Sequence, residues 1–424
     1  MLRPYRLLAA TPHVPSVLTA CLVARLYQPA QIIVLTFLVA SWTGSYAAGG
    51  VAAASKTIGQ AIASPVRGRQ IDRRSAPKVL MLTGSGAALG FTAMTAVAHW
   101  TDPAWWGLIV PVALGTGLMS PPLGQVGRAM WPRLTEGEAR ESAYTVDATL
   151  QELLFVSGPV LAAFVVAGWG PEVAMLGCAA WALLGTNVFA GALWRAGLRE
   201  GLGGVPAFKT GPGLRRIPGF GSLLGFCCLI AGALIAADVL LVGWARERSQ
   251  PELAGILAAV WAVGSLVGGL VAGGMTGKPR LGRRSVLVAL GMCALVPALP
   301  PVSDPGSPLL VGAILLAGGA AIAPTFAASN SRLADLTPAH RRGEAFGWSG
   351  TAMTLGGSIS SPLVGAMLDL SGPAAGAAVI AGLATAAALL VAWHLRRTRR
   401  AVSSPVVAGE SVDRPADAPG DLPR

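Results

Sequence analysis

The sequence predicts an all-α membrane protein with twelve transmembrane helices arranged as two parallel repeats of six. Three observations indicate this fold: the composition, a series of long apolar segments, and a basic loop that occurs at the same place in both halves. Of the 424 residues, 53% are hydrophobic and 12% are charged, and the mean hydropathy is +0.60. A chain of this length with so few charges is too apolar to be a soluble domain.

Twelve apolar segments are long enough to cross a bilayer, because a helix needs roughly 20 residues to span the hydrocarbon core. The first follows Arg3 and Arg6 and lacks a small-residue cleavage site, so it is predicted to be a retained helix and not a signal peptide. The segments lie at 17–38, 45–65, 79–99, 104–127, 143–167, 173–194, 219–243, 253–275, 285–302, 308–330, 345–368 and 373–395.

The basic residues are distributed unequally between the two sides of the predicted bundle. All but four of the 32 Lys and Arg residues fall on one side; Arg246 and Arg248 fall on the other, and Arg25 and Lys56 fall inside helices. Basic loops are retained in the cytoplasm, so both termini are expected to be cytoplasmic and the protein to lie in the plasma membrane. The net charge of +12 therefore indicates topology and contact with anionic lipids, and nucleic acid is not expected as a partner.

The two halves of the chain are related by an internal repeat. Six helices in each half give both halves the same orientation, so the repeat is parallel, with an axis along the membrane normal. The matching segments recur at offsets of 202 to 206 residues: Gly68–Lys78 with Gly274–Arg284, Arg140–Tyr144 with Arg342–Phe346, and Ser157–Leu161 with Ser360–Val364.

The repeat divides the chain into five regions. Between the two bundles lies a stretch rich in Gly, Pro and basic residues, which is typical of an interdomain linker. The final stretch begins with a basic cluster and is predicted to be a disordered cytoplasmic tail. The regions are an N-terminus at 1–16, a first bundle at 17–195, the linker at 196–218, a second bundle at 219–395 and the tail at 396–424.

The loop after the second segment resembles the signature of the major facilitator superfamily, Gly-x-x-x-Asp-Arg-x-Gly-Arg-Arg. Gly68, Asp72 and Arg73 match this pattern, while Ser75 replaces the second Gly, and Gly277 stands at the Asp position in the second copy. The resemblance covers about residues 15 to 395. It implies that Asp72 and Arg73 form a cytoplasmic latch, which a carboxylate near a helix N-terminus would stabilise; the alternative is that they only enforce topology.

The resemblance also implies a function, secondary transport of a small molecule by alternating access. The run from Trp131 to Pro159 is similar to uncharacterised actinobacterial permeases of the superfamily, which favours proton-coupled export. A proton-coupled metabolite importer is an alternative, and a non-transporting membrane sensor or scaffold is another. No nucleotide-binding loop or nucleophile–base constellation points to ATP coupling or to an enzyme. No cofactor is expected, and the protein is expected to be a monomer.

Ionisable residues inside the predicted helices are the sharpest site candidates, because each is costly in a membrane unless it is paired or hydrated. Arg25 in the first segment and Glu152 in the fifth are predicted to lie at similar depth and to approach each other. This pair is interpreted either as structural or as a site for substrate or proton. In the second interpretation, Glu152 carries the proton.

A polar stripe on the second predicted helix is a further candidate. Lys56, Gln60 and Ser64 follow one another at i, i+4 and i+8, so they share a face that must meet protein or a wet cavity. Lys56 could bind an anionic substrate. The alternative is a snorkelling or carboxylate-paired side chain.

The remaining candidates have weaker signals. The fourth segment, predicted to end at 127, lacks the mid-helix Arg that the family's drug exporters carry for proton coupling. Gly158 and Pro159 are expected to form a packing and kink site in the fifth helix. The Cys and His residues have no metal-ligand spacing, so no metal site is expected. Further polar candidates are Gln28, Asp147 and Gln151 at the cytoplasmic mouth or on the Arg25 face, Asp238 in the seventh segment, and Asn330.

Overall fold

The computed structural model describes residues 3–202, 213–250, 252–275, 280–303 and 306–403, and these residues form fifteen α-helices and three short 3-10 helices. The first half contains α1 Arg3–Ala10, α2 Val14–Arg25, α3 Tyr27–Thr43, α4 Tyr46–Arg73, α5 Ala76–Trp100, α6 Ile109–Leu118, α7 Leu123–Leu134 and α8 Gly137–Arg195. The second half contains α9 Phe220–Glu247, α10 Glu252–Gly273, α11 Leu281–Leu295, α12 Pro308–Gly319, α13 Ile322–Leu336, α14 Arg342–Ser371 and α15 Pro373–Ser403.

The observed helices follow the predicted segments with a few differences. α8 contains both the fifth and the sixth segments, which meet without a loop at Gly170, where the chain turns back. The φ of Gly170 is 87°, a value that glycine adopts without strain. The ninth segment is helical only as far as Leu295. Eight helical stretches of the described chain are long and apolar enough to cross a membrane by length and composition. The all-α membrane fold is therefore confirmed.

The predicted linker and tail are partly described. Leu202, in the linker, donates its backbone N–H to the Ile71 carbonyl oxygen at 2.8 Å and is 3% exposed. α15 continues to Ser403, so the first eight residues of the predicted disordered tail are helical. The reason is that this stretch is rich in Arg, which forms helices well and is stabilised near a helix C-terminus. The remainder of the tail, 404–424, and residues 203–212 of the linker lie outside the described residues.

In the described part of the chain, three membrane crossings are broken near mid-depth. α2 and α3 meet at Leu26, three residues before Pro29, which cannot donate a backbone hydrogen bond. α6 and α7 are separated by residues 119–122, which include Pro121 and Pro122, and α12 and α13 are separated by residues 320–321. α9, in contrast, is continuous over 28 residues.

The outer surface of the bundle suits lipid. On α4, Ile58, Ile62 and Val66 are exposed at four-residue spacing, whereas Lys56 on the same helix is 1% exposed. Regularly spaced apolar side chains on the outside of a helix indicate contact with hydrocarbon. Exposed Trp side chains, typical of the membrane interface, occur near one end of the bundle at Trp100, Trp105 and Trp169.

Among the described residues, the contacts between the two halves lie near one end of the helices that join them. This end, which we call the basic side, carries the start of α2, α8 and α14 and the end of α4, α10 and α13. Contacts between the halves involve α4, α7 and α8 from the first half with α10, α13 and α14 from the second, while α3, α6 and α12 pack within their own halves. The space between the halves therefore opens toward the opposite side.

Candidate functional site

The closed basic side is organised around Asp72 at the end of α4. Its two carboxylate oxygens accept hydrogen bonds from the backbone N–H groups of Gly343 and Glu344, both at 2.8 Å. These N–H groups belong to the first turn of α14, where they have no partner within the helix. Asp72 thus caps a helix of the other half, and its charge also complements the positive end of the α14 dipole.

Further polar contacts join the halves around this cap. The Arg69 Nε donates to the Glu344 carboxylate at 2.8 Å, and Arg73, which was predicted to share the latch, is exposed. Gln125 Nε2 donates to Ser64 Oγ at 2.7 Å, and Ser64 Oγ donates to the Gly347 carbonyl at 2.9 Å. Further contacts between the halves include Arg140–Asp335 at 3.3 Å, Ser331 Oγ to Glu141 at 2.8 Å, Ser142 Oγ to Gly273 O at 3.0 Å, and Thr351 Oγ1 to Ala61 O at 2.8 Å.

Glycine permits the close approach of α4 and α14. A Cβ on Gly68 would overlap the backbone carbonyl of Gly343 and lie 2.7 Å from the Glu344 Cα. A Cβ on Gly343 would lie 2.6 Å from the Gly68 oxygen and 2.8 Å from Asp72 Oδ1. The signature glycine of the loop therefore supplies room for the partner helix, which the capping by Asp72 requires.

Closure of the basic side is expected to weaken about tenfold in equilibrium constant between pH 6 and pH 8. Burial raises the pKa of Asp72 to about 7, the Glu344 charge adds to this, and the two backbone N–H groups and Arg341 oppose it. When the halves separate, the carboxyl returns to water and to its ordinary value of 3.8. The closed state thus holds an extra proton below pH 7, and this stabilisation is lost as the pH rises through 7.

Spin labels on the exposed residues Arg74 and Ala339, in a background without native cysteines, would report the opening as a change in distance distribution. The open fraction should rise with pH in the otherwise native protein and should not respond to pH in Asp72→Asn. An identical response in both proteins would contradict the role of this carboxyl.

A buried ion pair lies farther from the basic side. Arg25, at the end of α2, donates from Nη1 to Asp147 Oδ1 at 2.7 Å, and the two side chains are 2% and 3% exposed. The predicted partner, Glu152, was wrong. A helical side chain leans toward the N-terminus of its helix, which for α2 is the basic side, so the guanidinium reaches about one turn closer to that side than its Cα. Asp147 stands at this depth in α8.

Glu152 instead lies within electrostatic range of the carboxylate of Asp238. The first belongs to α8 and the second to α9, so the two carboxylates come from different halves, and they are close enough to repel each other electrostatically. Glu152 is partly buried and Asp238 is exposed. Because the contacts between the halves lie nearer the basic side, this acidic pair borders the space that opens toward the opposite side.

Sequence reasoning missed Arg128. The fourth crossing was predicted to end at 127, which placed Arg128 in a basic loop, whereas α7 continues to Leu134 and carries it inside the bundle. Pro121 and Pro122 break this crossing without ending it. The signal that could have found Arg128 is the apolar periodicity of α7, in which Val126, Ala129 and Met130 are buried.

The polar stripe on α4 divides between two environments. Lys56 lies within the first half, with Nζ 5.8 Å from the centroid of the Phe91 ring and no hydrogen-bond partner among the described residues. Gln60 is partly buried, and its backbone packs closely against Gly117 of α6. Ser64, two turns from Lys56, makes the contact with the other half described above. The stripe thus meets protein along its length.

The remaining candidates occupy supporting positions. Gln28 and Gln151 are partly buried, and Asn330 is 7% exposed in α13. A Cβ on Gly158 would lie 2.9 Å from the Pro29 Cβ, so this glycine allows α8 to pack against α3. The backbone dihedral angles remain helical at Pro159, and within α8 only Gly170 departs from them. No three His, Cys, Asp or Glu side chains gather into a potential metal site in the described ranges.

Comparisons with known proteins agree with this architecture. The family described as Major Facilitator Superfamily matches residues 221–418. The "Uncharacterized MFS-type transporter y4rN" of Sinorhizobium fredii is 27% identical over 327 residues, which cover 74% of this chain and 78% of that protein. The second half of the chain thus matches the major facilitator superfamily, and the relative extends the similarity into the first half. The chain is a multi-pass membrane transporter and not an enzyme, as the sequence predicted.

Solved structures share the fold of this chain. A bacterial homologue of the iron transporter ferroportin in an outward-facing state has a TM-score of 0.72 at 16% identity, covering 90% of this chain and 99% of that chain. The human organic anion transporter MFSD10 (TETRAN) has a TM-score of 0.62 at 18% identity, with coverage of 90% and 99%. At these identities the likeness concerns the fold alone.

Proposed function

We propose that the protein is a proton-coupled exporter of a small organic solute that works by alternating access as a monomer in the plasma membrane. The observation that carries the proposal is the acidic pair Glu152 and Asp238, which comes from different halves and borders the space between them. Acidic residues at such depth are costly, and in membrane proteins they commonly mark proton or substrate pathways.

The orientation follows from the distribution of charge. If the basic side is cytoplasmic, with both termini there, the conformation is outward-facing. The likeness to a ferroportin homologue in an outward-facing state supports the same assignment. In this conformation protons from outside would reach Glu152 and Asp238, and a proton on either carboxyl would remove the repulsion between them.

The exchange cycle follows from this arrangement. The cargo leaves to the outside, and protonation from outside then neutralises part of the acidic pair, whose repulsion would otherwise oppose the approach of the two halves on this side. Opening of the contacts around Asp72 would then expose the space between the halves to the cytoplasm, where the proton leaves and new cargo binds. Export in this scheme is antiport, because the proton and the cargo use the space in turn.

The test is accumulation of solutes by proteoliposomes with an acidic lumen, supplied with a soluble metabolite extract of bacterial cells and analysed by mass spectrometry. Antiport predicts that at least one solute accumulates in the acidic lumen. Glu152→Gln should reduce this pH-driven accumulation at least tenfold while retaining exchange of the same solute without a pH gradient. Glu247→Gln, a change at the exposed end of α9, is the matched control and should behave like the unmodified protein.

Each other outcome contradicts a defined part of the proposal. Accumulation only when the lumen is alkaline would indicate symport and the importer. Normal pH-driven accumulation by Glu152→Gln would exclude Glu152 as the proton carrier. No movement of any solute under either gradient would contradict transport and favour the sensor or scaffold.

A further inference from the structure

We propose that the cargo is an organic anion and that the guanidinium of Arg128 binds its carboxylate or phosphate group. This inference rests on the proposed function, because it assigns a substrate class to the same space between the halves. Three observations carry it: the unused donors of Arg128, the charge balance around Arg25 and Asp147, and the difference between the two repeats at equivalent positions.

Arg128 presents free donors between the halves. Its Nε donates to the Gly124 carbonyl of its own helix at 3.0 Å, and its two terminal nitrogens have no hydrogen-bond partner among the described residues. The guanidinium lies 5.9 Å from the centroid of the Phe346 ring in α14, which belongs to the other half. Stacking on an aromatic ring restricts the orientation of the guanidinium and leaves its outer edge available to a planar acid group.

The charge around Arg128 is not balanced locally. Asp147 is engaged by Arg25 at 2.7 Å, and Arg25 and Arg128 repel each other electrostatically. Both guanidiniums reach the same glycine, since a Cβ on Gly124 would lie 2.8 Å from Arg128 Nη2 and 3.7 Å from Arg25 Nη2. Two cations and one carboxylate leave one positive charge, which an anionic ligand would neutralise with charge-assisted hydrogen bonds.

Arg25 supplies a second, independent sign of a missing partner. It is 1% exposed, and its Nε makes no well-oriented hydrogen bond in the described part of the chain, where the Cys21 thiol is the weak acceptor near the guanidinium. A buried donor without a good acceptor destabilises the protein. The unpaired donors of two neighbouring arginines thus indicate a ligand that accepts hydrogen bonds.

The internal repeat separates ligand binding from packing. At offsets of 202 and 206 residues, the second half carries neutral residues where the first half carries this charged group: Ala231 for Arg25, Ser329 for Gly127, Asn330 for Arg128 and Ser349 for Asp147. The contacts themselves are repeated. Cys21 Sγ would lie 3.1 Å from a Cβ on Gly127, and the equivalent Cys227 Sγ lies 3.5 Å from Ser329 Oγ and 3.4 Å from Ser349 Oγ.

The absence of these charges from the second half indicates that they serve ligand binding in the first half. The same local packing forms in the second half without an ionised side chain, so the fold does not require two arginines and an aspartate at this position. The space between the halves is therefore bordered by charged side chains of the first half and by neutral polar side chains of the second. At the level of Arg128 a cation would be repelled by the local excess of positive charge on the two arginines, and a neutral solute would leave the Arg128 donors unpaired at a cost.

The proteoliposome experiment with a metabolite extract and an acidic lumen also tests this inference, with the chemical class of the accumulated solutes as the readout. Arg128→Asn places in the first half the residue that the second half already tolerates, and Arg128→Lys retains the charge without the planar fork. Arg133→Asn, at an exposed position of α7, is the matched control. Thermal unfolding of each variant would verify that it is folded.

We expect every accumulated solute to carry a carboxylate or phosphate, and its identity to distinguish these two groups. Arg128→Asn should raise the KM for that solute by about tenfold or more, since a hydrogen bond to a charged group is lost. Arg128→Lys should raise it less, and Arg133→Asn should leave it unchanged. Accumulation of cationic or neutral solutes, or an unchanged KM in Arg128→Asn, would overturn the inference and leave transport intact. No accumulation by the unmodified protein would instead contradict the proposed function.

Discussion

Gly68→Val is expected to hold the basic side open and to reduce transport at least tenfold. Any Cβ at this position would overlap the backbone of Gly343, and neither helix can move aside locally because the obstacle is backbone and not a flexible side chain. The Asp72 carboxylate would then lose both backbone N–H donors of α14. The closed state should be destabilised by several kcal/mol, of the order seen for overpacking combined with loss of a cap.

The measurement is the distance between spin labels at Arg74 and Ala339, which should shift to the open population in Gly68→Val at every pH. Gly50→Val is the matched control, because Gly50 lies on the same helix and a Cβ there would meet no atom within 4 Å. Both substitutions place a β-branched residue in α4, so their difference isolates the contact with α14. A closed distance distribution in Gly68→Val would refute the close approach.

Arg25→Met is expected to reduce the free energy of unfolding by about 3–5 kcal/mol, because it leaves the carboxylate of Asp147 buried without its partner. The double variant Arg25→Met, Asp147→Leu should recover most of this stability, since apolar side chains of similar volume can replace a buried ion pair at little net cost. Transport should remain at least tenfold reduced in the double variant, because the site between the halves has lost both charges.

Unfolding followed by tryptophan fluorescence in lipid nanodiscs would measure the stability of the single and double variants. Arg133→Met removes an exposed arginine of the same bundle and should change stability by less than about 0.5 kcal/mol. A single variant as stable as the unmodified protein would show that Asp147 is hydrated or neutral. A double variant that transports normally would make the ion pair purely structural.

The fold was predictable because its determinants are long and repeated. Apolar length defines the crossings, and duplicated motifs at the start of α8 and α14 define the symmetry. The cap by Asp72 was also predictable, since an acid in a loop that faces a helix N-terminus has a physical role there. The ion pair beside this cap was not predictable. Spacing within α4 does not reveal that Arg69, and not Arg73, lies beside Glu344.

The candidate site was predicted only in part, for reasons of geometry. The depth of Arg25 was estimated from its Cα, but the side chain reaches about a turn toward the basic side, where Asp147 stands. Arg128 was assigned to a loop because prolines interrupt the fourth crossing before it resumes as α7. The proximity of residues from different halves, such as Glu152 and Asp238, depends on the conformation of the transporter and leaves no pattern in either segment.

The breaks between α2 and α3, α6 and α7, and α12 and α13 divide these crossings into two layers of helical segments, one on the basic side and one on the opposite side. The segments on the basic side hold Arg25 and Arg128, whereas α3, α6 and α12 lie beyond the breaks and pack within their own halves. A helix bends most easily where its hydrogen-bond ladder is already interrupted. The far segments can therefore fold inward over a bound molecule while the charged group beneath it stays in place, so occlusion and gate opening become separate steps and not one rocking motion.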